Sequence, residues 1–371
     1  MQQKWISLGL MSGTSGDGVD ASIIETNGAD HYASIKDKYF EYESNIFKDI
    51  HSLKEKIHKV EHLNKFKKEI DELERKITIF HAKIISELDV SSDTLVGFHG
   101  QTIYHNSNEK ISKQLGNGNL LNQLTNKKIV FNFRKNDILN EGQGAPLTPV
   151  FHHLITLQNK IDLPVCFLNI GGIANITIIK NKNIEDLFSR DIGPGNCLID
   201  NWVRKNSNKK FDLDGQLALS GEKNQIIFEQ AQELYMNRNN KKKLSFDTND
   251  FDISFIRGLN LEDGVATLTD FTASIIGEEL SKLINNNDNK IKKILLCGGG
   301  RKNKVLIRKL KENLSLDIGL KQIDDFNIDG DFIESQAFAF MAVRTLRKLP
   351  ISFPSTTGCK LPVVGGELIE N

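Results

Sequence analysis

The chain has 371 residues, a length that predicts two domains rather than one small core. Lys plus Arg and Asp plus Glu number 48 each, so the charge balance gives no indication of a nucleic-acid or membrane-surface partner. The sequence holds no apolar run of about 18 residues and no signal-peptide pattern at its start. The spacing of the cysteines favours reduced thiols over a disulfide framework or zinc site; they are Cys166, Cys197, Cys297 and Cys359. We therefore expect a soluble cytoplasmic protein.

The first distinctive stretch is glycine-rich: residues 8–20 read LGLMSGTSGDGVD. Apolar runs enter and leave it, so the pattern predicts a β-hairpin with a glycine-rich turn. A Walker loop and a dinucleotide-binding turn are excluded, because GK[ST] and a helix-opening GxGxxG are missing. Glycines let backbone amides approach an anion, and Asp17 and Asp20 suit a hydrated cation. The stretch fits a nucleotide phosphate tail with magnesium; a plain hairpin turn is an equally weighted alternative.

Residues 46–88 carry apolar side chains at helical spacing, with a slip in phase near His62. The slip favours two amphipathic helices on one domain face over a coiled coil. The histidines of this segment are expected on solvated helix faces; they are His51, His58, His62 and His81.

Polar residues follow two predicted strands. A short strand over residues 94–97 leads into His99 and Gln101, and a second over residues 127–133 ends at Arg134. A polar cluster at the carboxyl end of a strand is where open α/β sheets bind ligands. For His99, a cap on a turn is the structural alternative.

The second half of the chain repeats the opening pattern. Residues 140–146 are rich in turn formers and are interpreted as a crossing between domains, after which a helix over residues 149–158 opens the second domain. Residues 165–170 and 173–179 flank the Gly171–Gly172 pair and predict a second glycine-turn hairpin. Two such hairpins, one in each half, are how a duplicated actin-like ATPase core holds a triphosphate.

Asp191 is the next candidate for chemistry. Residues 191–196 predict a tight turn before a helix over residues 198–203. The helix N-terminus favours an anion nearby, whereas N-capping by Asp191 is the structural alternative. Residues 241–252, which include Lys243, are predicted to form a polar loop.

The last third contributes one more glycine motif. Residues 267–283 and 335–347 predict helices, and an apolar strand over residues 292–297 runs into Gly298–Gly300. Asn303 then starts another helix. A strand, a triple glycine and a helix allow close backbone approach, which suits the adenosine of ATP.

The ordered motifs together resemble the anhydro-N-acetylmuramic acid kinases, with matching order and spacing over nearly the whole chain. They are MSGTSGDGVD, GFHGQT, FNFRKND, GQGAPLTPVFHH, NIGGIANIT, DIGPGNCLID, DGQLALSG, CGGGRKN, ESQAFAFMAVR and FPSTTG. That family belongs to the sugar kinase, heat-shock chaperone and actin superfamily. The resemblance implies an α/β fold with two ribonuclease-H-like (actin-like ATPase) domains around a central cleft, usually in a homodimer. We expect the first domain at residues 1–137 plus 340–371 and the second at residues 138–339.

The resemblance also implies a reaction. MgATP phosphorylates 1,6-anhydro-N-acetylmuramic acid while water opens the anhydro bridge, giving N-acetylmuramic acid 6-phosphate and ADP in cell-wall recycling. Because the bridge ties the 6-oxygen to the anomeric carbon, the sugar has no free 6-hydroxyl, and a carboxylate that activates water fits this chemistry. By similarity Asp191 is that base, and Glu334 helps to orient the sugar or the water.

The same resemblance assigns the binding residues. His99, Gln101 and Arg134 are expected to meet the sugar, and the fork of Arg134 suits its lactyl carboxylate. Asp17 and Asp20 are expected to hold Mg²⁺ through water. The nucleotide is expected on a larger set, which comprises Gly13, Thr14, Ser15, Gly16, Asp17, Gly18, Val19, Asp20, Gly171, Gly172, Gly193, Gly298, Gly299, Gly300 and Asn303.

Several residues depart from the family pattern. Ile192 replaces the usual Thr, Gly16 a common Leu, and Asn132 the usual Asp of the DFR triplet, while residues 105–119 are unusually polar. These departures put the grip on the substrate in doubt rather than the reaction. The main alternative is another sugar kinase or an ATP hydrolase of the same superfamily. An actin- or chaperone-like module and a binding protein without catalysis are further alternatives, and the retained Asp191 disfavours the latter.

Overall fold

The computed structural model describes residues 3–237, 244–285, 291–314 and 318–370, so Lys243 lies outside the described residues. The chain forms two compact units. Unit 1 comprises Met1–Ile161, Lys182–Ser189 and Asp331–Asn371, and unit 2 comprises Asp162–Asn181 and Arg190–Gly330. None of the described helices is long and apolar enough to cross a membrane.

The strands, in chain order, are β1 Trp5–Ser12, β2 Gly18–Thr26, β3 Tyr32–Glu41, β4 Leu95–Asn106, β5 Ile111–Leu115, β6 Ile129–Phe131, β7 Val165–Ile170, β8 Ile173–Ile179, β9 Phe188–Pro194, β10 Lys293–Cys297, β11 Gly319–Gln322 and β12 Glu367–Ile369. The α-helices are α1 Ser44–Lys56, α2 Val60–Lys65, α3 Lys67–Leu88, α4 Gly118–Thr125, α5 Lys135–Leu139, α6 Pro149–Gln158, α7 Cys197–Asn206, α8 Gln216–Ser220, α9 Gln225–Met236, α10 Leu261–Asn285, α11 Lys304–Glu312, α12 Ile333–Leu346 and α13 Pro354–Thr357.

The sheet of unit 1 has, within the described residues, the strand order β12-β6-β4-β1-β2-β3, with β5 paired to β4. β2 runs antiparallel to both β1 and β3, whereas β4 is parallel to β1 and β6 is parallel to β4. This is the ribonuclease-H-like arrangement, in which a three-stranded meander is extended by parallel strands. Helices α1 and α3 cover one face with a buried aliphatic cluster that includes Ile50, Leu73 and Ile77.

Helix α12 packs very closely on the sheet of unit 1. A Cβ on Gly9 of β1 would lie 1.9 Å from Ser335 O, and one on Gly97 of β4 would lie 3.2 Å from the Ala342 Cβ. The alanines of α12 and the glycines of the sheet therefore match, because both sides lack side-chain bulk.

Unit 2 repeats this topology. Its sheet has the order β11-β10-β7-β8-β9, with β8 antiparallel to β7 and with β10 and β11 parallel to their neighbours. Five strands thus follow the same order in each unit, with β5 and β12 added in unit 1, and in each unit a glycine-rich turn joins the first two strands. The predicted α/β class and both predicted hairpins are confirmed.

The units divide at other positions than the sequence suggests. Residues 140–146 lie within unit 1 rather than at a crossing, and α6 belongs to unit 1 as well. The ring of Phe151 on α6 packs against Tyr32 at 4.9 Å and against Phe340 at 5.7 Å. The N-terminal turn of α12 is also held in unit 1, where Ser335 Oγ lies 2.6 Å from Ser22 Oγ. Residues 138–161 and 331–339 are therefore part of unit 1, because they pack on its sheet.

The helical stretch differs in two respects. Residues 44–88, all of them described, form three helices instead of two, with breaks before α2 and at Phe66. The placement of His81 on a solvated face was wrong, since its side chain is fully buried beside Phe98 at 4.8 Å. Burial lowers the pKa of His81 to about 4.

Three other elements differ in length. β4 continues past the expected residue 97 because it pairs with β5, and β6 is only three residues long. Helix α10 begins at Leu261, earlier than the expected start at residue 267. Strand β3 escaped prediction because most of its residues are exposed, which removes the alternating apolar pattern.

Candidate active site

The first glycine turn, residues 13–17, joins β1 to β2. Its backbone closes through Gly16 N–H donating to Gly13 O at 3.2 Å, and Gly16 adopts a left-handed φ of +65°. Gly18 has no room for a side chain, since a Cβ there would lie 2.5 Å from Phe40 O and from the Tyr39 ring. The glycines at 16 and 18 are therefore required by backbone conformation and by close approach, respectively.

The carbonyl groups of this turn are bound by donors from the protein. Gln101 Nε2 donates to Gly13 O at 3.0 Å, and Lys54 Nζ on α1 donates to Thr14 O at 2.7 Å. The N–H of Tyr42 donates to Asp17 O at 2.9 Å. A turn that receives an anion must direct its carbonyl oxygens away from it, because their partial negative charge repels phosphate. The contacts at Gly13, Thr14 and Asp17 satisfy that requirement.

The second glycine turn, Gly171–Gly172, is held in the same way by backbone groups. Gly195 N–H donates to Gly172 O at 2.9 Å, Asn196 N–H to Gly171 O at 2.8 Å, and Cys197 N–H to Gly172 O at 3.1 Å. These amides precede or begin α7, so they bind turn carbonyls instead of an anion. Burial raises the pKa of the Cys197 thiol to about 12.

Asp191 lies in a strand rather than at the predicted tight turn. It belongs to β9 and is buried, and the N-cap of α7 is Asn196, so Asp191 does not cap that helix. Its carboxylate Oδ2 accepts from Phe246 N–H at 2.7 Å, and its own N–H donates to Leu244 O at 2.8 Å. Leu244 and Phe246, which lie in the described part of the polar loop predicted over residues 241–252, thus position this carboxylate.

The neighbours of Asp191 in β9 are also buried. Ile192 is enclosed in unit 2, and a Cβ on Gly193 would lie 2.7 Å from the Ile275 Cγ2 of α10. Gly193, which was expected to touch the nucleotide, is therefore packed against a helix.

The third glycine motif, Gly298–Gly300, follows β10. Gly298 has a left-handed φ of +76°, and a Cβ on it would lie 2.3 Å from Asn169 Oδ1. A Cβ on Gly300 would lie 2.3 Å from the Ile170 Cγ2, at the end of β7. Asn303 caps α11, as predicted, with its Oδ1 accepting from Leu306 N–H at 3.0 Å.

The structure thus brings four sequence motifs together in unit 2. The Gly171–Gly172 turn touches residues 195–197 through hydrogen bonds, and the Gly298–Gly300 loop abuts the strand that leads into the same turn. A Cβ on Gly215, in the DGQLALSG motif, would lie 2.4 Å from Asn303 Oδ1. These motifs are far apart in sequence, and the fold of unit 2 brings them into contact.

In unit 1, His99 and Arg134 form a direct pair. Arg134 Nη2 and Nε lie 3.0 and 3.3 Å from His99 Nε2, and Arg134 Nη1 donates to Gly144 O at 2.7 Å. His99 Nδ1 lies 2.8 Å from Gly100 O, and the ring packs on Phe338 at 4.6 Å. Burial, followed by the charge of Arg134, holds the pKa of His99 well below its usual range. The imidazole is therefore neutral and accepts from Arg134.

Gln101 and Glu334 occupy different surroundings. Gln101 is buried in β4, where it supports the first glycine turn through Gly13. Glu334 lies in the first turn of α12 and is half-buried. Helix α12 therefore begins at Ile333, before Glu334. The sequence predicted a later start at residue 335, with Glu334 in the segment that precedes the helix.

The acidic pair at the first turn fits a hydrated divalent cation. Asp17 Oδ1 accepts from Ser15 Oγ at 2.5 Å, and Asp20 lies in β2 opposite Met11. Burial and both carboxylates raise the pKa of Tyr39, which places the two negative charges beside one ring. Among the described residues there is no cluster of three or more metal-ligating side chains. Two carboxylates are a donor set that suits Mg²⁺ bound mainly through water and substrate phosphates.

Sequence reasoning missed Asp137, which organises the predicted crossing segment. This buried carboxylate accepts from Gly144 N–H at 2.7 Å, from Ser352 Oγ at 2.5 Å and from Thr357 Oγ1 at 2.6 Å. It joins the GQGAP and FPSTTG motifs, and Gly144 in turn accepts from Arg134. No local pattern indicates this role, because two of the three partners, Ser352 and Thr357, are more than 200 residues away in the tail.

Comparisons with known proteins agree on one family. A family model described as anhydro-N-acetylmuramic acid kinase matches residues 5–370. An anhydro-N-acetylmuramic acid kinase of Pelagibacter ubique (strain HTCC1062) is 54% identical over 374 residues, covering 100% of both chains. The enzyme of the same name from Agrobacterium fabrum (strain C58 / ATCC 33970) is 33% identical, covering 98% of each chain. That from Zymomonas mobilis subsp. mobilis is 34% identical over 98% of this chain and 99% of the relative.

Proposed function

The chain belongs to the anhydro-N-acetylmuramic acid kinase family, and on that premise we propose the reaction that it catalyses. The γ-phosphoryl group of ATP is transferred to the 6-oxygen of 1,6-anhydro-N-acetylmuramic acid while water opens the anhydro bridge. The products are N-acetylmuramic acid 6-phosphate and ADP. The observation that carries the proposal is the pair of glycine turns with bound carbonyls, together with the buried carboxylate of Asp191.

In the proposed reaction, each bond that forms is matched by a bond that breaks. The water oxygen bonds to the anomeric carbon as the bond from that carbon to the 6-oxygen breaks, and the 6-oxygen bonds to the γ-phosphorus as ADP leaves. One water proton passes to Asp191 and then to solvent, and the other stays on the new anomeric hydroxyl. The γ-phosphorus accepts the leaving 6-oxygen, so a separate general acid is unnecessary.

Asp191 is suited to act as the base on water. Its Oδ2 accepts from the Phe246 N–H, which fixes the orientation of the carboxylate. The role of Glu334 is to orient the sugar or the water from the first turn of α12. Both assignments follow the family motifs.

The phosphates are proposed to bind at the two glycine turns and the adenosine at Gly298–Gly300 with Asn303. Asp17 and Asp20 would hold Mg²⁺ through water, and bound Mg²⁺ would neutralise charge on the phosphate oxygens. His99 and Arg134 are proposed to face the sugar, with Arg134 able to share its fork with the lactyl carboxylate. Gln101 supports the first turn, whose shape its amide fixes.

The wider biological setting is also part of the proposal. Family membership supports a role in murein recycling, a cytoplasmic location and a homodimer. Another sugar kinase or an ATP hydrolase of the same superfamily is the competing activity, and the products distinguish it.

The test uses the purified full chain with MgATP and the anhydro sugar in oxygen-18 water. One label is expected on the anomeric hydroxyl of the phosphorylated sugar, measured by mass spectrometry against glucose and N-acetylglucosamine as control acceptors. Label found only in inorganic phosphate would identify an ATP hydrolase instead.

Asp191→Asn separates the base from the binding site. The amide oxygen of Asn can still accept from Phe246 N–H, so the loop keeps its contact, whereas the general base is lost. We expect turnover to fall by about 10²- to 10⁴-fold, with MgADP affinity within about twofold of wild type by calorimetry. Near-normal turnover would remove Asp191 from the mechanism.

A further inference from the structure

The loop Gly298–Gly300 is fixed in place by an ion pair with a buried arginine, and the reaction itself does not use this pair. We propose that Arg301, held by Asp324, is a positioning residue that sets the shape of this loop for the nucleotide. The inference rests on the proposed function to the extent that the loop is taken as the nucleotide site. It goes further by naming the residues that keep the loop in its binding shape.

The geometry of the pair is bidentate. Arg301 Nε donates to Asp324 Oδ2 and Arg301 Nη2 donates to Asp324 Oδ1, each at 2.8 Å. The Arg301 side chain is only 4% exposed, so this pair is shielded from solvent on the arginine side. Hydrogen bonding from Arg301 lowers the pKa of Asp324, which keeps the carboxylate charged.

The third guanidinium nitrogen of Arg301 binds the glycine loop. Arg301 Nη1 donates to Gly298 O at 3.1 Å, so the carbonyl of the first glycine is turned toward the ion pair. Gly298 N–H donates to Gly330 O at 3.2 Å, and a Cβ on Gly330 would lie 2.6 Å from Arg301 Nε. The loop is therefore attached to the segment that contains Asp324 and Gly330 through both its N–H and its carbonyl.

The opposite side of the loop is equally confined. Gly298 and Gly300 abut Asn169 and Ile170 at the end of β7, as the short Cβ distances show. Gly299 alone is exposed, and a Cβ on it would meet nothing within 4 Å. The loop therefore lies between the end of β7 and the segment that contains Asp324 and Gly330, and of its three glycines only Gly299 is exposed to solvent. The Arg301 guanidinium fixes the loop to the second of these segments.

Lysine cannot replace arginine in this role. An ammonium group is a point charge on a flexible stem, whereas the three nitrogens of one planar guanidinium donate to Asp324 and Gly298 O simultaneously. Arg301→Lys should keep the positive charge near Asp324 but lose the fixed link to Gly298 O. Asp324→Asn should weaken the same link from the other side, because a neutral amide holds the guanidinium less firmly.

The experiment measures nucleotide binding separately from turnover. For the full chain with each variant, the Kd of MgADP is measured by calorimetry, together with KM for ATP and KM for the anhydro sugar. We expect Arg301→Lys to raise the MgADP Kd and the KM for ATP by about tenfold, with the sugar KM within about twofold. When Arg301→Lys and Asp324→Asn are combined, the fold-increase in the MgADP Kd should be smaller than the product of the two single increases. Both substitutions weaken the same link between Arg301 and Gly298 O.

A matched control comes from the next helix. Arg308 and Glu312 on α11 form an exposed pair at 4.0 Å, so Arg308→Lys should leave all three constants unchanged. Wild-type MgADP affinity in both Arg301→Lys and Asp324→Asn, or equal rises in both KM values, would overturn the inference. If Arg301→Lys does not fold, the Asp324→Asn values decide.

The two proposals fail separately. A wild-type chain that binds MgADP without converting the anhydro sugar would refute the proposed reaction and leave the inference about the loop standing. Normal conversion with unchanged nucleotide binding in both variants would refute the inference alone.

Discussion

Gly195→Ala tests whether the second glycine turn must keep its observed position. Gly195 lies directly against that turn: its N–H donates to Gly172 O at 2.9 Å, and an added Cβ would lie 2.2 Å from Gly171 O. Both groups are backbone, so neither can move aside by changing a rotamer. The added methyl must therefore displace the turn, the start of α7, or both.

The size of the effect follows from these distances. The two segments must separate by about 1 Å before the methyl reaches ordinary contact with the carbonyl. Overpacking of this kind costs about 1–3 kcal/mol in the free energy of unfolding. Displacement of a binding group by about 1 Å can lower turnover by about 10²-fold. We expect kcat/KM for ATP to fall by that order, while the chain remains folded.

The assay compares Gly195→Ala with Gly319→Ala in the same unit. A Cβ on Gly319 would lie 3.6 Å from Lys292 O, an ordinary contact, so this control adds a methyl without strain. Both variants are measured for thermal unfolding and then for initial rates at a temperature well below both transitions. A folded Gly195→Ala variant with kcat/KM within twofold of wild type would show that the turn carries no phosphate.

Two further predictions concern unit 1. Arg134→Ala should raise KM for the anhydro sugar at least about tenfold, because a bidentate donor is lost, and should leave KM for ATP within about twofold. Lys135→Ala, which changes the exposed neighbouring residue, is the control. Equal rises in both KM values for Arg134→Ala would count against a sugar contact. His81 gives a pH prediction: burial lowers its pKa from 6.5 to about 4, so above pH 6.5 it is neutral in both the folded and the unfolded chain. Below that pH the unfolded chain binds the proton first, and the free energy of unfolding should fall by up to about 1.4 kcal/mol per pH unit until about pH 4. In denaturant titrations from pH 7 to pH 4.5, His81→Phe should reduce the slope of the free energy of unfolding against pH by an amount equivalent to up to one proton. His58→Gln, at an exposed histidine, should leave the slope unchanged. Identical slopes in wild type and His81→Phe would contradict the assignment.

The glycine turns were predictable because their signal is local. Apolar strands on both sides of Gly13–Gly18 and of Gly171–Gly172 define a hairpin within about 15 residues, and backbone geometry requires glycine at several of these positions. The cap at Asn303 was predictable for the same reason, since capping involves only the next helical turn. The family resemblance also made the order of all the motifs along the chain predictable.

The strand at Asp191 was missed because its sequence also fits a turn. Gly193 and Pro194 usually end a strand, but β9 lies at the edge of its sheet, where a proline leaves no interior hydrogen bond unmade. The strand continues because Asp191 bonds to Leu244 and Phe246, more than 50 residues away. A pattern read along the chain contains no information about that partner.

The supporting residues were missed for a related reason. Lys54, Asp137 and Arg301 are ordinary charged residues in the sequence, and two of them lie in or beside helices where such residues are usually solvated. Their roles appear only when the fold sets them against Thr14 O, Gly144 N–H and Gly298 O. Contacts of this kind between a side chain and a backbone group cannot be derived from composition or periodicity.

The departures from the family pattern differ in their physical consequences. Asn132 donates through Nδ2 to Glu367 Oε2 at 3.0 Å, while Lys135 Nζ binds Glu367 Oε1 at 2.5 Å. An Asp at position 132 would face that carboxylate, so the neutral Asn is matched to Glu367. Arg134 binds His99 and the Gly144 carbonyl.

Gly16 and Ile192 complete the comparison. Gly16 has a φ of +65°, and a Cβ on it would lie 2.9 Å from the Ile50 Cγ2, so a larger residue would require Ile50 to move. Glycine at this position is therefore matched to its neighbour, as Asn132 is to Glu367. Ile192 is buried beside Asp191 and brings a methyl-bearing side chain where the family usually has a hydroxyl. Of these three positions, Ile192 is the one adjacent to the proposed base, so any loss of catalytic efficiency from these departures should originate there.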